Sequence, residues 1–146
     1  MSFKVVSFTV PGEPQGKGRP RVGSVAGRAR MFTPAKTVAY EGLIAHAAHA
    51  AMRGGQPFDG PCRIELDVLC TVPASWSAKK RAQALAGAIR PAKKPDADNV
   101  LKAVCDGLNG VVWRDDVQAV EGMWRKVYAE TPGVRVWVAA ISALKP

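Results

Sequence analysis

The alternation of apolar and charged residues between Cys62 and Val72 constrains the fold of this chain most strongly. Three aliphatic side chains fall on one side of the segment and three charged ones on the other: Ile64, Leu66 and Val68 against Arg63, Glu65 and Asp67. A period of two is the pattern of a β-strand with one buried and one polar face. The segment therefore predicts a half-buried strand of a sheet.

The remaining patterns place helices and further strands around this one. We predict strands over 3–10, 62–72, 117–128 and 134–141, and helices over 35–52, 78–86 and 98–108. Thr33 is expected to cap the first helix, with Pro34 at its first helical position, and Ser75 or Ser77 to cap the second. The last strand is expected to pair with the strand before it. The order β-α-β-α-α-β-β predicts an α+β fold, with a mixed β-sheet and helices packed on one face.

Composition indicates one domain over 1–146. The chain has 146 residues, of which 47% are hydrophobic, and this is enough for a core of ordinary size. An apolar run of about 18 residues, as a membrane span needs, is not found in the sequence, and Met1–Ser7 lacks the apolar stretch of a signal peptide. The cysteines are odd in number and form no C-x-x-C pair, which predicts reduced, mostly buried thiols in a cytoplasmic protein. They are Cys62, Cys70 and Cys105.

The net charge of +9 indicates an anionic partner, and nucleic acid is the commonest one. Six basic residues lie between Gly12 and Lys36, and five of them belong to a glycine- and arginine-rich segment that we expect to be a basic flexible loop over 12–33. Six more lie between Lys79 and Lys94, with no acid among them. The residues predicted to bind DNA are Lys17, Arg19, Arg21, Arg28, Arg30, Lys36, Lys93 and Lys94. The glycines in the first segment would let the backbone approach DNA closely, and a solvated loop without a ligand is the alternative.

Acidic residues are concentrated directly after the second basic block. Five of the 12 fall between Asp96 and Asp116. Asp98, Lys102 and Asp106 are four residues apart and share one polar stripe of the predicted helix. The apolar face of that helix is expected to be formed by Leu101, Val104, Cys105 and Leu108. A helix followed by a return strand could bring Asp115 and Asp116 back beside Asp96 and Asp98.

Carboxylates without paired cysteines or histidines form an oxygen-only set that suits Mg²⁺ or Mn²⁺ and not zinc. Such a cation can activate water and stabilise charge during phosphodiester hydrolysis, and Lys102 could assist. Simpler interpretations remain open: Asp98 as a helix cap, Lys102 in a surface ion pair, and Asp115–Asp116 as a polar turn. Among the four tryptophans, which are expected in the core or an interface, Trp113 is the candidate for DNA contact.

Several segments together resemble the RusA family of Holliday junction resolvases, in its phage and prophage branch. They are Lys94–Lys102, Asp106–Val112, Asp115–Gln118, Gly16–Arg21 and Thr33–Thr37. The resemblance covers most of the chain. The combination of Asp-x-Asp-Asn-x-x-Lys with Asp-Asp-x-Gln is its most specific part.

The resemblance implies a homodimer that uses Mg²⁺, for which Mn²⁺ may substitute, and nicks four-way DNA junctions symmetrically in recombination and repair. By position, it implies that Asp96, Asp98 and Asp116 are catalytic and hold the metal, with Asp115 as the alternative to Asp116. It also implies that Lys102 is the catalytic lysine. A non-catalytic basic nucleic-acid-binding module and a nuclease for other branched DNA, such as flaps, are the alternative functions.

Overall fold

The structure is a computed structural model, and it describes residues 4–141. Within this range the elements are β1 Val5–Pro11, β2 Arg21–Val25, β3 Arg28–Phe32, α1 Ala35–Met52, β4 Cys62–Thr71, α2 Ala78–Leu85, α3 Ala97–Leu108, β5 Ala119–Ala129 and β6 Gly133–Ala140. The α+β class and the predicted order are confirmed, with one added hairpin. Phe3, the first residue of the predicted first strand, lies outside the described residues.

The main sheet has the strand order β1-β6-β4-β5 and is mixed, because β4 runs parallel to β5 and antiparallel to β6. The predicted pairing of the last two strands is wrong, since β6 lies between β1 and β4. Burial explains this order. Every second side chain of β6 is fully or almost fully buried, whereas most of β5 is exposed and suits an edge. The connection over 130–132 needs to cross only about 10 Å, two strand spacings.

The core lies between one face of this sheet and helices α1 and α3. Ile64, Leu66 and Val68 of β4 are buried there, as their alternation predicts. On the opposite face of β4, Arg63 and Asp67 make ion pairs with neighbouring strands, and Glu65 pairs with Arg63 of the same strand. The sheet therefore has one apolar face under helices and one charged face.

Helix α3 is turned relative to the predicted orientation. Its buried residues are Val100, Ala103, Val104, Gly107 and Leu108, whereas Leu101 and Cys105 are half-buried. Gly107 explains the difference, because a Cβ there would lie 2.7 Å from Cγ2 of Ile44 on α1. The two helices approach closely at this glycine, and Leu101 and Cys105 are left to line a cleft towards β5.

Helix α1 spans the predicted residues, but its cap differs. Pro34 occupies the N-cap position and makes no side-chain capping bond, so the predicted Thr33 cap is wrong. Ser77 does cap α2, because its side chain accepts a hydrogen bond from the Lys80 amide at 3.2 Å. Within residues 4–141 no helix is both long and apolar enough to cross a membrane.

Part of the segment expected to be a loop is a β-hairpin. Strands β2 and β3 pair antiparallel around Ala26 and Gly27, both of which have positive φ, as a two-residue hairpin turn of type I′ requires. Nearly every residue of the two strands is exposed. The hairpin was missed because neither of its faces is buried, so its sequence carries no apolar alternation.

Candidate functional site

A cleft of about 550 Å³ lies between α3 and β5, and it contains the main predicted catalytic groups. Asp98 and Lys102 line it from α3, and Asp116 lines it from a short 3-10 turn, Asp116–Gln118, that precedes β5. The predicted return of the chain after the helix thus brings Asp116 into one cleft with Asp98.

The wall of this cleft on β5 is shaped by a β-bulge. Cys62 pairs with Ala119 and Arg63 with Glu121, so Val120 is an additional residue in β5. Gly122 follows, and a Cβ at that position would lie only 2.0 Å from the Ile64 carbonyl oxygen. Trp124, which is 52% exposed, completes the wall. Bulges commonly redirect side chains beside active sites.

Asp96 and Asp98 stand at the start of α3. Asp96 is the N-cap residue, with an extended backbone, and its side chain makes no capping bond. Asp98 lies in the first turn, so the interpretation of Asp98 as the cap is wrong. The positive end of the helix dipole favours a carboxylate at this place. Both carboxylates are exposed, but of the two only Asp98 lines the cleft.

Gln118 holds the acidic turn in place, a role that its local sequence did not predict. Its side-chain oxygen accepts hydrogen bonds from the amides of Arg114 and Asp115, at 2.9 and 3.2 Å. Its side-chain nitrogen donates to the carbonyls of Phe58 and Gly60, at 2.8 and 2.9 Å. Four bonds from one amide tie the turn to the segment before β4. The spacing Asp-Asp-x-Gln was the only signal in the sequence.

Asp115 and Asp116 have different surroundings. Asp116 is half-buried and lines the cleft, whereas Asp115 is exposed and does not. A hydrogen-bonding contact with Asp115 raises the pKa of Asp116, and burial and the negative charges of Asp115 and Asp106 raise it further. Carboxylates that repel one another in this way favour the binding of a cation. The donor chemistry therefore fits a hard divalent ion.

The predicted ligand set is only partly assembled. In residues 4–141 no group of three or more histidine, cysteine, aspartate or glutamate side chains is arranged to hold a metal ion. Asp98 and Asp116 share the cleft, and Asp96 stands two residues before Asp98 without lining it. Cys105 also lines the cleft, but burial above all raises the pKa of its thiol to about 12. A protonated thiol is neither a ligand nor a nucleophile.

Four of the predicted DNA-binding residues meet in a second cleft of about 550 Å³. Arg19 and Arg21 come from the root of the hairpin, Lys36 from the start of α1, and Lys94 from the segment before α3. Arg28 and Arg30 lie exposed on β3. Pro95 also lines this basic cleft, and Asp96 follows it directly.

Two of the predicted DNA-contacting groups are engaged with the protein. The Lys17 ammonium contacts Asp106 and Glu41. The ammonium of Lys93 lies 5.9 Å from the centre of the Tyr128 ring. The glycines around Lys17, which we expected to face DNA, pack on protein instead: a Cβ at Gly18 would lie 2.6 Å from Oγ1 of Thr37.

Trp113 is not available for DNA contact. It is fully buried, and its ring nitrogen donates a hydrogen bond to the Asn109 side chain at 2.9 Å. This indole lies in the core, so the expectation of a DNA contact is wrong. The predicted state of the thiols is confirmed, because Cys62 and Cys70 are buried, Cys105 is half-buried, and all are free.

Comparison with known proteins gives a family match and a relative of similar length. Residues 11–139 match the family described as endodeoxyribonuclease RusA. The chain is also 37% identical over 140 residues to the uncharacterized protein YqaN of Bacillus subtilis (strain 168), covering 94% of this chain and 98% of that protein. The family match spans both clefts.

Proposed function

The chain belongs to the RusA family of endodeoxyribonucleases, and we propose that it resolves four-way DNA junctions by metal-dependent hydrolysis of paired phosphodiester bonds. The observation that carries this proposal is the cleft that holds Asp98, Lys102 and Asp116 together. A basic cleft that could hold the DNA backbone contains Lys94, two residues before Asp96.

Asp96, Asp98 and Asp116 would hold the cation, which is Mg²⁺, with Mn²⁺ as a substitute. When bound, the cation supplies activation of water and stabilisation of charge on the phosphate. Asp96 is included because it stands two residues before Asp98 and its side chain makes no capping bond that would hold it away from the cleft. Gln118 keeps Asp116 in position through its bonds to the neighbouring turn.

Lys102 contributes a positive charge one helical turn after Asp98. In the cleft it would face the scissile phosphate and stabilise the negative charge that develops on its oxygens. The apolar side chains of Leu101 and Trp124 line the same space and would exclude part of the solvent. Charge interactions become stronger where water is excluded.

The basic residues would bind the strands that lead to the cut. Arg19, Arg21, Lys36 and Lys94 would contact phosphates in the basic cleft, and Arg28 and Arg30 would extend the contact along the hairpin. Phosphate contacts position a nuclease without reading sequence. This suits an enzyme that selects a DNA shape.

A homodimer is part of the proposal, because resolution of a four-way junction needs two matched cuts, which a two-fold symmetric enzyme delivers. The proposed setting is DNA recombination and repair in the cytoplasm.

Junction selectivity is tested with a panel of DNA substrates that share one sequence: a four-way junction, a flap and a linear duplex. The proposal predicts paired nicks at the junction and little cutting of the duplex. Equal cleavage rates on the junction and the linear duplex would contradict the junction assignment. Preference for the flap would support a nuclease for other branched DNA.

A non-catalytic binding module predicts that neither the wild-type protein nor Asp98→Asn cleaves DNA. Under our proposal this variant loses cleavage while it still binds DNA. Glu130→Gln is the matched control, because Glu130 is exposed beyond the far end of β5, about 35 Å along an 11-residue strand from the acidic turn. If Asp98→Asn cleaves as fast as Glu130→Gln, the metal site is elsewhere.

A further inference from the structure

Lys17 joins three separate segments through its side chain. Its ammonium nitrogen lies 3.2 Å from Oε2 of Glu41 on α1 and makes an ion pair with Asp106 on α3. The three side chains are only 23–25% exposed. Partly buried ion pairs are screened less by salt than fully exposed ones. The contact with Asp106 above all raises the pKa of Lys17, so the ammonium stays charged.

The backbone around Lys17 is docked as tightly as its side chain. The Lys17 amide donates a hydrogen bond to the Asn99 carbonyl at 3.0 Å, and the Gly18 amide donates one to Oγ1 of Thr37 at 2.9 Å. A Cβ at Gly16 would lie 3.0 Å from Cβ of Asn99. The segment 16–18 is thus fixed to the first turns of both α1 and α3.

These contacts separate Lys17 from the other basic residues of its segment. Arg19 and Arg21 follow within four residues, are exposed, and line the basic cleft, whereas Lys17 does not line it. Two carboxylates already accept from the Lys17 ammonium, which has three donor hydrogens. A role as one more phosphate contact does not fit this arrangement.

Through its partner residues, Lys17 connects the helix that carries Asp98 and Lys102 to the basic hairpin. Asp106 lies two turns after Asp98 and one turn after Lys102 on the same stripe of α3. On the other side, segment 16–18 leads directly into Arg19, Arg21 and the hairpin. Because segment 16–18 is fixed to α3, it sets where DNA bound by the hairpin lies relative to the acidic cleft. A displacement of the reacting phosphate by about 1 Å can lower the cleavage rate by two orders of magnitude.

We propose that Lys17 is a positioning residue, which fixes the root of the basic hairpin to α3 so that phosphates bound by the hairpin are in register with the acidic cleft. This inference rests on the proposed function. Under this inference, Lys17 affects the rate of cleavage at saturating DNA, and it does not change the number of phosphates that the protein binds.

The test compares Lys17→Met with Arg19→Met, which lose the same charge two residues apart. Each phosphate contact contributes about 0.9 to the slope of log K against log salt concentration for duplex DNA. We expect Arg19→Met to lose mainly affinity, with a slope lower by about 0.9. We expect Lys17→Met to keep the wild-type slope and to lose about 10-fold or more in single-turnover rate at saturating junction.

Thr37→Val provides a second variant that removes no charge. It deletes the hydrogen bond to Gly18 and keeps the shape of the side chain, so it should lower the saturating rate without weakening the salt dependence. If Lys17→Met does not fold, this variant decides the question. Lys17→Arg should recover part of the lost rate, because it restores a cation between Glu41 and Asp106.

The inference is overturned if Lys17→Met lowers the salt slope as Arg19→Met does and keeps the wild-type saturating rate, or if Thr37→Val cleaves like wild type. These outcomes leave the proposed function intact, because the wild-type protein still cleaves. A wild-type protein that binds the junction but cleaves nothing would overturn the proposed function, and the role of Lys17 with it.

Discussion

Gly107→Ala tests whether the close contact of α1 and α3 positions the acidic cleft. The added methyl carbon would lie 2.7 Å from Cγ2 and 2.9 Å from Cβ of Ile44, and 3.1 Å from the Glu41 carbonyl oxygen. Ile44 is fully buried and branched at Cβ, so its side chain has little freedom to turn away. The helices must separate to admit the methyl group.

The magnitude follows from two opposing terms. Overpacking a close-packed core costs about 1–3 kcal/mol, and three contacts this short place the cost near the upper end. Alanine in place of glycine gains about 1 kcal/mol in helix propensity. The net effect is a destabilisation of about 2 kcal/mol. Movement of α3 also displaces Asp98 and Lys102 relative to Asp116, so we expect the cleavage rate to fall.

Gly42→Ala is the matched control, because Gly42 also lies within a helix, is exposed, and would leave an added Cβ with no atom within 4 Å. This variant should be more stable than wild type by up to about 1 kcal/mol. Urea unfolding of both variants, with junction cleavage measured in parallel, is the assay. If Gly107→Ala unfolds at the same midpoint as Gly42→Ala and cleaves normally, the close helix contact does not position the site.

Three further predictions address the site itself. Mg²⁺ at about 100 times its dissociation constant should stabilise the fold by about 2.7 kcal/mol. Thermal unfolding should show that most of this gain is missing in Asp116→Asn. A wild-type Tm that Mg²⁺ leaves unchanged contradicts the metal site. Gln118→Glu keeps the acceptor for the Arg114 and Asp115 amides but loses the donors to the Phe58 and Gly60 carbonyls. It should therefore lower the free energy of unfolding in urea by about 1–3 kcal/mol and slow cleavage. A variant that matches wild type in both stability and cleavage would show that Gln118 does not hold the acidic turn. The raised pKa of Lys17 means that its ion pairs stabilise the fold fully below the ordinary value of 10.5 and lose that contribution as pH rises through the raised value. The difference in unfolding free energy between wild type and Lys17→Met should therefore be constant near neutral pH and shrink above about pH 10.5, whereas a difference that is unchanged at high pH argues against the ion pairs.

Local patterns predicted the elements because each of them reports burial within its own segment. The alternation over 62–72 identified β4, and α1 was bounded correctly by Pro34 and the glycines after Met52. The β2–β3 hairpin could not be identified in this way, since its residues are exposed on both faces. The pairing of β6 depends on which strand is central, and that is decided by the whole core.

The site shows the same division between local and long-range information. The spacing predicted that the chain returns after α3 to bring its acidic residues together, and Asp98, Lys102 and Asp116 do line one cleft, whereas Asp96 and Asp115 do not. The role of Lys17 was not predictable, because its partners Glu41 and Asp106 lie 24 and 89 residues away in sequence. Trp113 was misjudged for a related reason, since the charged segment Arg114–Asp116 follows it directly while its contacts are with the core.

Cleavage of a four-way junction with and without Mg²⁺, by wild type and by Asp96→Asn, tests the central claim most directly. We predict paired nicks by the wild-type protein only when Mg²⁺ is present, and a loss of at least about 100-fold in Asp96→Asn with junction binding retained. Cleavage that persists in a metal chelator, or an Asp96→Asn variant as active as wild type, would contradict the account.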